Sequence, residues 1–206
     1  MRTITVERRY LTLPTPSAFQ PRRGEGVAPD RSDVALRRLA PDDLAGWRRL
    51  YHMVGAPWLW VDRNAWSDEQ LASYLARPGV AVWAVDAVPA APVDGSRGSD
   101  GLSADAVATR DVGMLELASH DDGSVEIVYL GLVAAYHGRG LGAWLLQEAV
   151  ALAWQRGATR VWLHTCSLDA PAALPNYLAR GFVLERTEQY TVTLDDLSPS
   201  PPDVAS

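Results

Sequence analysis

The stretch that decides the fold is YHGRGLGAWLL, from Tyr136 to Leu146. Gly138, Gly140 and Gly142 alternate immediately before an apolar run with helical spacing. Glycines placed in this way let backbone N–H groups converge on an anion, and the N-terminus of the following helix adds a partial positive charge. Arg139 adds a full positive charge. The stretch therefore predicts a phosphate-binding loop between a strand and a helix.

Hydrophobic periodicity extends this pattern in both directions along the chain. Strands are predicted at Val34–Leu39, Val80–Val88, Val112–Ala118, Ser124–Val133 and Arg160–Thr165, and one or two more within Phe182–Leu194. Helices are predicted from Pro41 to Gly55, from a Ser67–Gln70 capping box to before Pro78, over Gly142–Arg156, and over roughly Pro171–Arg180. This order predicts an α/β domain with a mixed sheet of six to seven strands flanked by about four helices.

The predicted domain covers residues 34–194. Residues 1–33 form an N-terminal arm in this interpretation, with a surface strand over Thr3–Leu13, a proline-rich linker after it, and a candidate dimer contact. Residues 89–110 are small, polar and rich in Pro and Gly, which predicts a flexible loop inserted between two strands. Residues 195–206 are predicted to be a disordered tail.

Composition excludes several classes of function. The chain has 206 residues and a net charge of −6, and an acidic balance argues against nucleic acid as the main partner. No Lys is present, which excludes Schiff-base chemistry and Walker-type phosphate binding. A single Cys and four His without ligand spacing predict no metal site. Neither a signal peptide nor a membrane-spanning run is visible, so we expect a cytoplasmic protein.

A dinucleotide-binding loop is the first alternative for the glycines, since Gly138, Gly140 and Ala143 also match G-x-G-x-x-A. A dinucleotide loop follows its strand almost at once, whereas four residues, 134–137, intervene here. The next strand ends in His164-Thr-Cys166 and offers no acidic residue for the ribose. Both features favour a phosphate ligand of another kind.

The segment resembles the acyl-CoA-binding core of the GNAT superfamily of N-acetyltransferases, in an uncharacterised bacterial subgroup. The family pattern Q/R-x-x-G-x-G/A falls on residues 137–142, with His137 where Gln or Arg is usual. A second family mark, a Tyr four residues before Gly-Phe, appears as Tyr177 before Gly181-Phe182. The resemblance implies a sheet that splays at the acyl-CoA site and acetyl-CoA as cosubstrate, without a metal. It assigns acyl-CoA contacts to Leu132, Val133, Ala134, His137, Gly138, Arg139, Gly140, Leu141, Gly142 and Ala143.

The resemblance also implies direct transfer of the acetyl group to an amine. Glu126 is our first candidate for the general base, because the family places a glutamate at a similar distance before the loop, and Glu116 on the neighbouring strand is its rival. Tyr177 is the predicted acid at the CoA sulfur. Backbone N–H groups near Leu132 or Val133, at a bulge of the strand, are the predicted oxyanion donors.

Two further polar side chains, His164 and Cys166, follow the loop on the next strand, and we expect them to be structural and inert, respectively. The acceptor is expected at an aromatic segment between the first two helices. Its predicted contacts are Tyr51, Trp58, Trp60, Arg63 and Trp66. Aromatic walls favour a cationic amine, Asp62 would add a carboxylate, and the alternative for the five is core packing.

The sequence therefore predicts an N-acetyltransferase that acts on a small-molecule amine. Two alternatives stay open. One is an acyl-CoA-binding sensor or scaffold with weak catalysis, and the other is a protein N-acetyltransferase.

Overall fold

The computed structural model describes residues 3–21, 33–87 and 110–193. Its strands are β1 (Thr3–Leu13), β2 (Val34–Arg38), β3 (Val80–Ala87), β4 (Arg110–Ser119), β5 (Val125–Leu132), β6 (Val161–Cys166) and β7 (Val183–Thr193). Its α-helices are α1 (Leu44–Gly55), α2 (Asp68–Leu75), α3 (Leu141–Gln155) and α4 (Ala173–Ala179). The predicted tail 195–206 and, apart from Arg110, the predicted loop 89–110 lie outside the described residues.

The seven strands form one mixed sheet in the order β2-β3-β4-β5-β6-β1-β7. Every neighbouring pair is antiparallel except β5 and β6, which are parallel. A mixed seven-stranded sheet with four helices confirms the predicted α/β fold.

The core lies in two layers, one on each side of the sheet. Helices α1 and α2 cover one face, where Trp47, Leu71 and Tyr129 belong to the same buried cluster. Helix α3 covers the other face, where Leu145 and Leu163 are buried. We call these the α1 face and the α3 face.

Local signals place the helix ends close to their predicted positions. The Ser67–Gln70 capping box is present at the start of α2. Helix α1 begins at Leu44 rather than at Pro41, because the Asp43 carboxylate accepts from the Gly46 N–H at 2.8 Å and acts as its N-cap. Pro175 lies in the first turn of α4, where its missing N–H costs nothing.

The N-terminal strand is a correction to the sequence analysis. Instead of lying on the surface, β1 pairs with β6 on one edge and with β7 on the other. Val6, Leu11 and Leu13 are fully buried. A strand that is hydrogen-bonded on both edges and carries buried side chains on both faces is an interior element of a sheet, so Thr3–Leu13 is part of the fold. The expected closing pair of strands is likewise one continuous strand, β7.

Strands β5 and β6 separate after a short paired section, as the resemblance implies. Their register ends at Ile127 opposite Leu163. A bulge at Val128 on β5 shifts the pairing with β4, four residues before its expected position at Leu132. Strict alternation along β5 would place Ile127 and Tyr129 on one face and Val128 and Leu130 on the other, and the bulge changes this. Val128 now shares the α1 face with Tyr129, whereas Ile127 and Leu130 share the α3 face.

Candidate active site

A cavity of about 210 Å³ lies where β5 and β6 separate. Residues Ile127–Leu132 of β5 form one wall, and the end of β6 forms the wall opposite. The segment Trp58–Asp62, which follows α1, lines the cavity together with Tyr177 of α4. Tyr177 packs in the core of the α3 face and Tyr129 in the core of the α1 face. The cavity therefore joins the two faces through the gap in the sheet.

The glycine loop ends at an uncapped helix N-terminus. Gly138 and Gly140 have φ angles of +74° and +78°, a backbone conformation that favours glycine. A Cβ added to Gly138 or Gly142 would meet no heavy atom within 4 Å, so open space faces both positions. No side chain caps the first N–H groups of α3, which belong to Leu141, Gly142 and Ala143. The loop fits the pyrophosphate of an acyl-CoA, since it offers free donors and room for an anion.

The two charged or titratable side chains of the loop point in different directions. His137 Nε2 lies 2.8 Å from the Leu132 carbonyl oxygen, and its ring stacks on Trp58 with centroids 6.2 Å apart. His137 therefore lies in the cavity wall. The Arg139 guanidinium lies 4.9 Å from the centre of the Tyr136 ring, within the loop itself.

The predicted backbone contacts at the end of β5 face two different edges of the strand. The Val133 N–H donates to the Val112 carbonyl at 2.9 Å, which engages it with β4. Successive residues of a strand present their backbone groups to opposite edges, so the Leu132 N–H faces the gap towards β6. Ala134 begins the single helical turn Ala134–Tyr136 that leads into the loop. Of the two predicted oxyanion donors, the geometry favours Leu132.

Tyr177 lies on the cavity wall, 8% exposed, with its ring 6.1 Å from that of Phe182. Burial, reinforced by the charge of Asp169, raises the pKa of its hydroxyl above the usual tyrosine value, so the hydroxyl is a hydrogen-bond donor at neutral pH. Gly181 ends this segment with φ +90°, and a Cβ there would overlap the Ala18 carbonyl oxygen. The Tyr-x-x-x-Gly-Phe spacing therefore fixes Tyr177 against the cavity.

Glu116 lies outside the cavity, fully buried on β4. Its carboxylate accepts from Trp47 Nε1 at 2.8 Å, from the Arg63 guanidinium at 2.8 Å and from the Tyr74 hydroxyl at 2.7 Å. Both oxygens are occupied and the charge is paired. Glu116 is therefore positioned to hold Arg63 in the core of the α1 face.

Glu126, the other candidate base, precedes the cavity-lining section of β5 by one residue and does not line the cavity itself. Its Oε2 lies 3.1 Å from His120 Nε2, and its side chain is 14% exposed. One carboxylate oxygen has no partner among the described residues. Glu126 therefore lies next to the cavity-lining section of β5 without lining the cavity.

The five predicted acceptor residues separate into two groups. Trp58 and Trp60 line the cavity. The other three do not line it, because Tyr51 and Arg63 are buried in the protein and Trp66 packs on Arg63. Tyr51 stacks on Trp47 at 4.8 Å, and burial raises its pKa to about 12.

Arg63 and Trp66 are the remaining two residues of the second group. The Arg63 guanidinium lies 4.7 Å from the Trp66 ring and 4.0 Å from the Tyr74 ring. Burial would lower the pKa of Arg63, but the charge of Glu116 raises it above the usual arginine value. An arginine already enclosed by aromatic rings and paired with a carboxylate is not available to clamp a substrate.

Several residues that line the cavity were not identified from the sequence, and two others were assigned no part in the site. Tyr129 reaches the wall because of the bulge, and Arg8 and Tyr190 reach it from β1 and β7. No local motif marks these positions. His164 and Cys166 also line the cavity. Burial, and then the charge of Asp169, raise the pKa of the Cys166 thiol, which agrees with an inert thiol.

Comparison with known proteins identifies the family to which the chain belongs. The model of the acetyltransferase (GNAT) family matches residues 47–182, more than half of the chain. The chain therefore belongs to the GNAT acetyltransferase family. No curated protein sequence matches it significantly.

Solved structures share the fold at low sequence identity. An aminoglycoside acetyltransferase from an uncultured soil metagenomic sample, in complex with trehalose, is 16% identical with a TM-score of 0.52, over 72% of this chain and 88% of that one. GCN5-related N-acetyltransferases from Kribbella flavida and Sphaerobacter thermophilus are 16% and 17% identical, with TM-scores of 0.52 and 0.51. Those matches cover 92% and 91% of this chain but only 58% and 51% of the other chains.

Two further observations concern the surroundings of the site. No helix in the described ranges is long and apolar enough to cross a membrane. Within the same ranges, no three His, Cys, Asp or Glu side chains are grouped as metal ligands.

Proposed function

We propose that the protein transfers an acetyl group from acetyl-CoA to the primary amine of a small molecule by direct attack. One observation carries this proposal. A cavity through the split sheet has the glycine loop at the end of one wall, Tyr177 on one side and Trp58 and Trp60 on the other. Donor and acceptor can therefore approach from opposite faces and meet in the gap.

Acetyl-CoA supplies the acetyl group as a thioester and leaves as a thiol. The N–H groups of Leu141, Gly142 and Ala143 would hold its pyrophosphate, with Arg139 beside them. The free backbone edge of β5 at Leu132 would pair with the extended arm of the molecule. The bond between His137 and the Leu132 carbonyl occupies that edge, so His137 has to turn away when the arm binds.

Three protein groups would serve the reaction itself. The Leu132 N–H would donate to the oxyanion that forms when the amine attacks the thioester carbonyl. The Tyr177 hydroxyl would donate to the departing sulfur, which takes up a proton as the amide forms. The amine must lose a proton, since an alkyl ammonium is almost fully protonated at neutral pH.

For the proton acceptor we favour Glu126 over Glu116. Both oxygens of Glu116 are engaged with donors, one of them the Arg63 cation, whereas Glu126 meets only His120 and is partly exposed. Glu126 would act through a water between its carboxylate and the cavity.

One observation favours the rival function, an acyl-CoA-binding sensor. Neither Glu116 nor Glu126 lines the cavity. A protein N-acetyltransferase is disfavoured by the size of the cavity, about 210 Å³, which suits a small acceptor. The absence of a nucleic-acid or membrane partner, a cytoplasmic location and a homodimer remain predictions from the sequence.

Thiol release from acetyl-CoA with a panel of amines tests the proposal. We expect acceptor-dependent release by the wild type and a loss of about 100-fold in kcat for Tyr177→Phe, the usual scale of acid–base catalysis. Tyr10→Phe is the matched control, because the Tyr10 hydroxyl bonds to Glu188 and Tyr10 does not line the cavity. Glu126→Gln should lower kcat, because the amide cannot take up the proton of the amine. Tight CoA binding without thiol release for any amine would support the sensor instead.

A further inference from the structure

Arg8 reaches the cavity from the N-terminal strand, which the family motifs do not include. It lies opposite Cys166 of β6 in the sheet register, two residues from Tyr10, which is opposite His164. Leu11 is buried on the α3 face, so strand alternation places Arg8 and Tyr10 on the α1 face. This is the face that carries the aromatic segment and the expected acceptor.

The guanidinium of Arg8 has unused hydrogen-bonding capacity. One terminal nitrogen donates to the Tyr190 hydroxyl at 3.3 Å, and the group lies 4.9 Å from the centre of the Tyr190 ring. Its Nε is buried and has no hydrogen-bond partner. Within the described ranges, Arg8 takes part in no ion pair with a carboxylate.

The contrast with Arg63 shows what Arg8 lacks. Arg63, also on the α1 face, is neutralised by Glu116 at 2.8 Å. A buried guanidinium donor without an acceptor is unfavourable, and the two terminal nitrogens of a guanidinium can donate to the two oxygens of a carboxylate. The unsatisfied Arg8 group therefore marks the place of an anion that arrives with a ligand.

The other charged groups of the cavity limit what that anion can be. Asp62 and Asp169 also line it, and two carboxylates would repel a doubly charged phosphate. One Asp169 oxygen is engaged by the Thr165 hydroxyl and the Cys166 N–H, whereas no hydrogen bond to the Asp62 carboxylate occurs among the described residues. A ligand with one carboxylate bound to Arg8 and one ammonium near Asp62 would match the charges of the cavity.

We propose that the acceptor is an amino acid or a similar amine that carries a carboxylate, and that Arg8 binds this carboxylate. The inference rests on the proposed function and names the substrate class of that same site. It also assigns the β1 strand a role in specificity, because the strand brings the cation to the cavity.

Matched pairs of acceptors test the proposal directly. Thiol release is measured with amino acids and with their decarboxylated amines, for example tyrosine with tyramine and ornithine with putrescine. We expect wild-type kcat/KM to favour the amino acids at least tenfold. Arg8→Gln should lower kcat/KM about 10- to 100-fold for amino acids and less than threefold for the amines. The larger value is the scale of losing hydrogen bonds to a charged group.

Arg9→Gln is the matched control, since Arg9 lies on the same strand, faces the other way and pairs with Glu7. CoA affinity and the melting temperature of Arg8→Gln show whether the fold and the donor site are kept. A wild type that prefers the amines, or an Arg8→Gln variant that loses both acceptor classes equally, would overturn the proposal.

A binding measurement separates this inference from the transfer function. Calorimetric titration of the CoA complex with each acceptor needs no turnover. If no acceptor releases thiol, the proposed function fails, but amino-acid binding by the wild type that Arg8→Gln abolishes would still support the carboxylate site. Equal binding by the two proteins, or none by the wild type, would refute it.

Discussion

Replacing Glu116 with Gln tests whether this carboxylate stabilises the fold or takes part in catalysis. Glu116 is fully buried, and its charge is matched by Arg63 at 2.8 Å. The substitution keeps the shape and one acceptor oxygen but leaves the Arg63 cation unpaired among Trp66, Tyr74 and Tyr129. Breaking a buried ion pair in this way costs about 3–5 kcal/mol.

That cost predicts a large change in melting temperature. In a protein of about 200 residues, 1 kcal/mol shifts Tm by about 2–4 °C, so we expect Glu116→Gln to melt about 6–20 °C below the wild type. At a temperature where both proteins are folded, kcat should change less than threefold, because the carboxylate does not face the cavity. Thermal unfolding followed by circular dichroism and thiol-release kinetics measure the two quantities.

A double variant provides the control. Glu116→Leu combined with Arg63→Met removes both charges, and we expect it to be more stable than either single variant, as apolar replacements of buried ion pairs often are. The reasoning is refuted if Glu116→Gln melts at the wild-type temperature, or if it stays folded and loses 100-fold or more in kcat. The second result would make Glu116 the base.

Two further predictions concern the loop and the β4–β5 turn. Gly142→Ala should keep or raise Tm, because the added Cβ meets open space in a helix. The same substitution should weaken CoA binding at least tenfold if the pyrophosphate lies against this residue. An unchanged CoA affinity in calorimetry would show that the phosphate binds elsewhere. Hydrogen bonds from the Ser124 hydroxyl and N–H lower the pKa of Asp122 to about 2. A lowered native pKa stabilises the fold above the ordinary aspartate pKa and ceases to do so as pH falls through the native value. The Tm difference between wild type and Asp122→Asn should therefore narrow from pH 5 towards pH 2, and a constant difference would contradict this.

The features that the sequence predicted correctly are those encoded within a few residues. The alternating glycines before α3 and the Ser67–Gln70 capping box each specify a turn or a helix end through neighbouring backbone groups. Such signals do not depend on which strands become neighbours, so they can be predicted without knowing the sheet topology.

The candidate site was harder to predict because it depends on register. A single extra residue at Val128 puts Tyr129 on the α1 face and Leu130 on the other, and alternation counted along the sequence misses that change. The aromatic segment shows the same limit. Trp60 and Trp66 both belong to the predicted acceptor segment, yet only Trp60 lines the cavity, since Trp66 packs on Arg63 and Tyr74.

The position of β1 connects the stability of the fold with the specificity that we propose. Val6, Leu11 and Leu13 are fully buried, and at about 1.5–3 kcal/mol each their burial contributes about 5–9 kcal/mol, comparable to the net stability of a whole domain. The sheet therefore cannot form in its native order without β1, because β6 and β7 pair through it. Arg8 is carried by this strand, so packing elsewhere in the sheet holds it at the cavity, and the cation is in place before any acceptor binds.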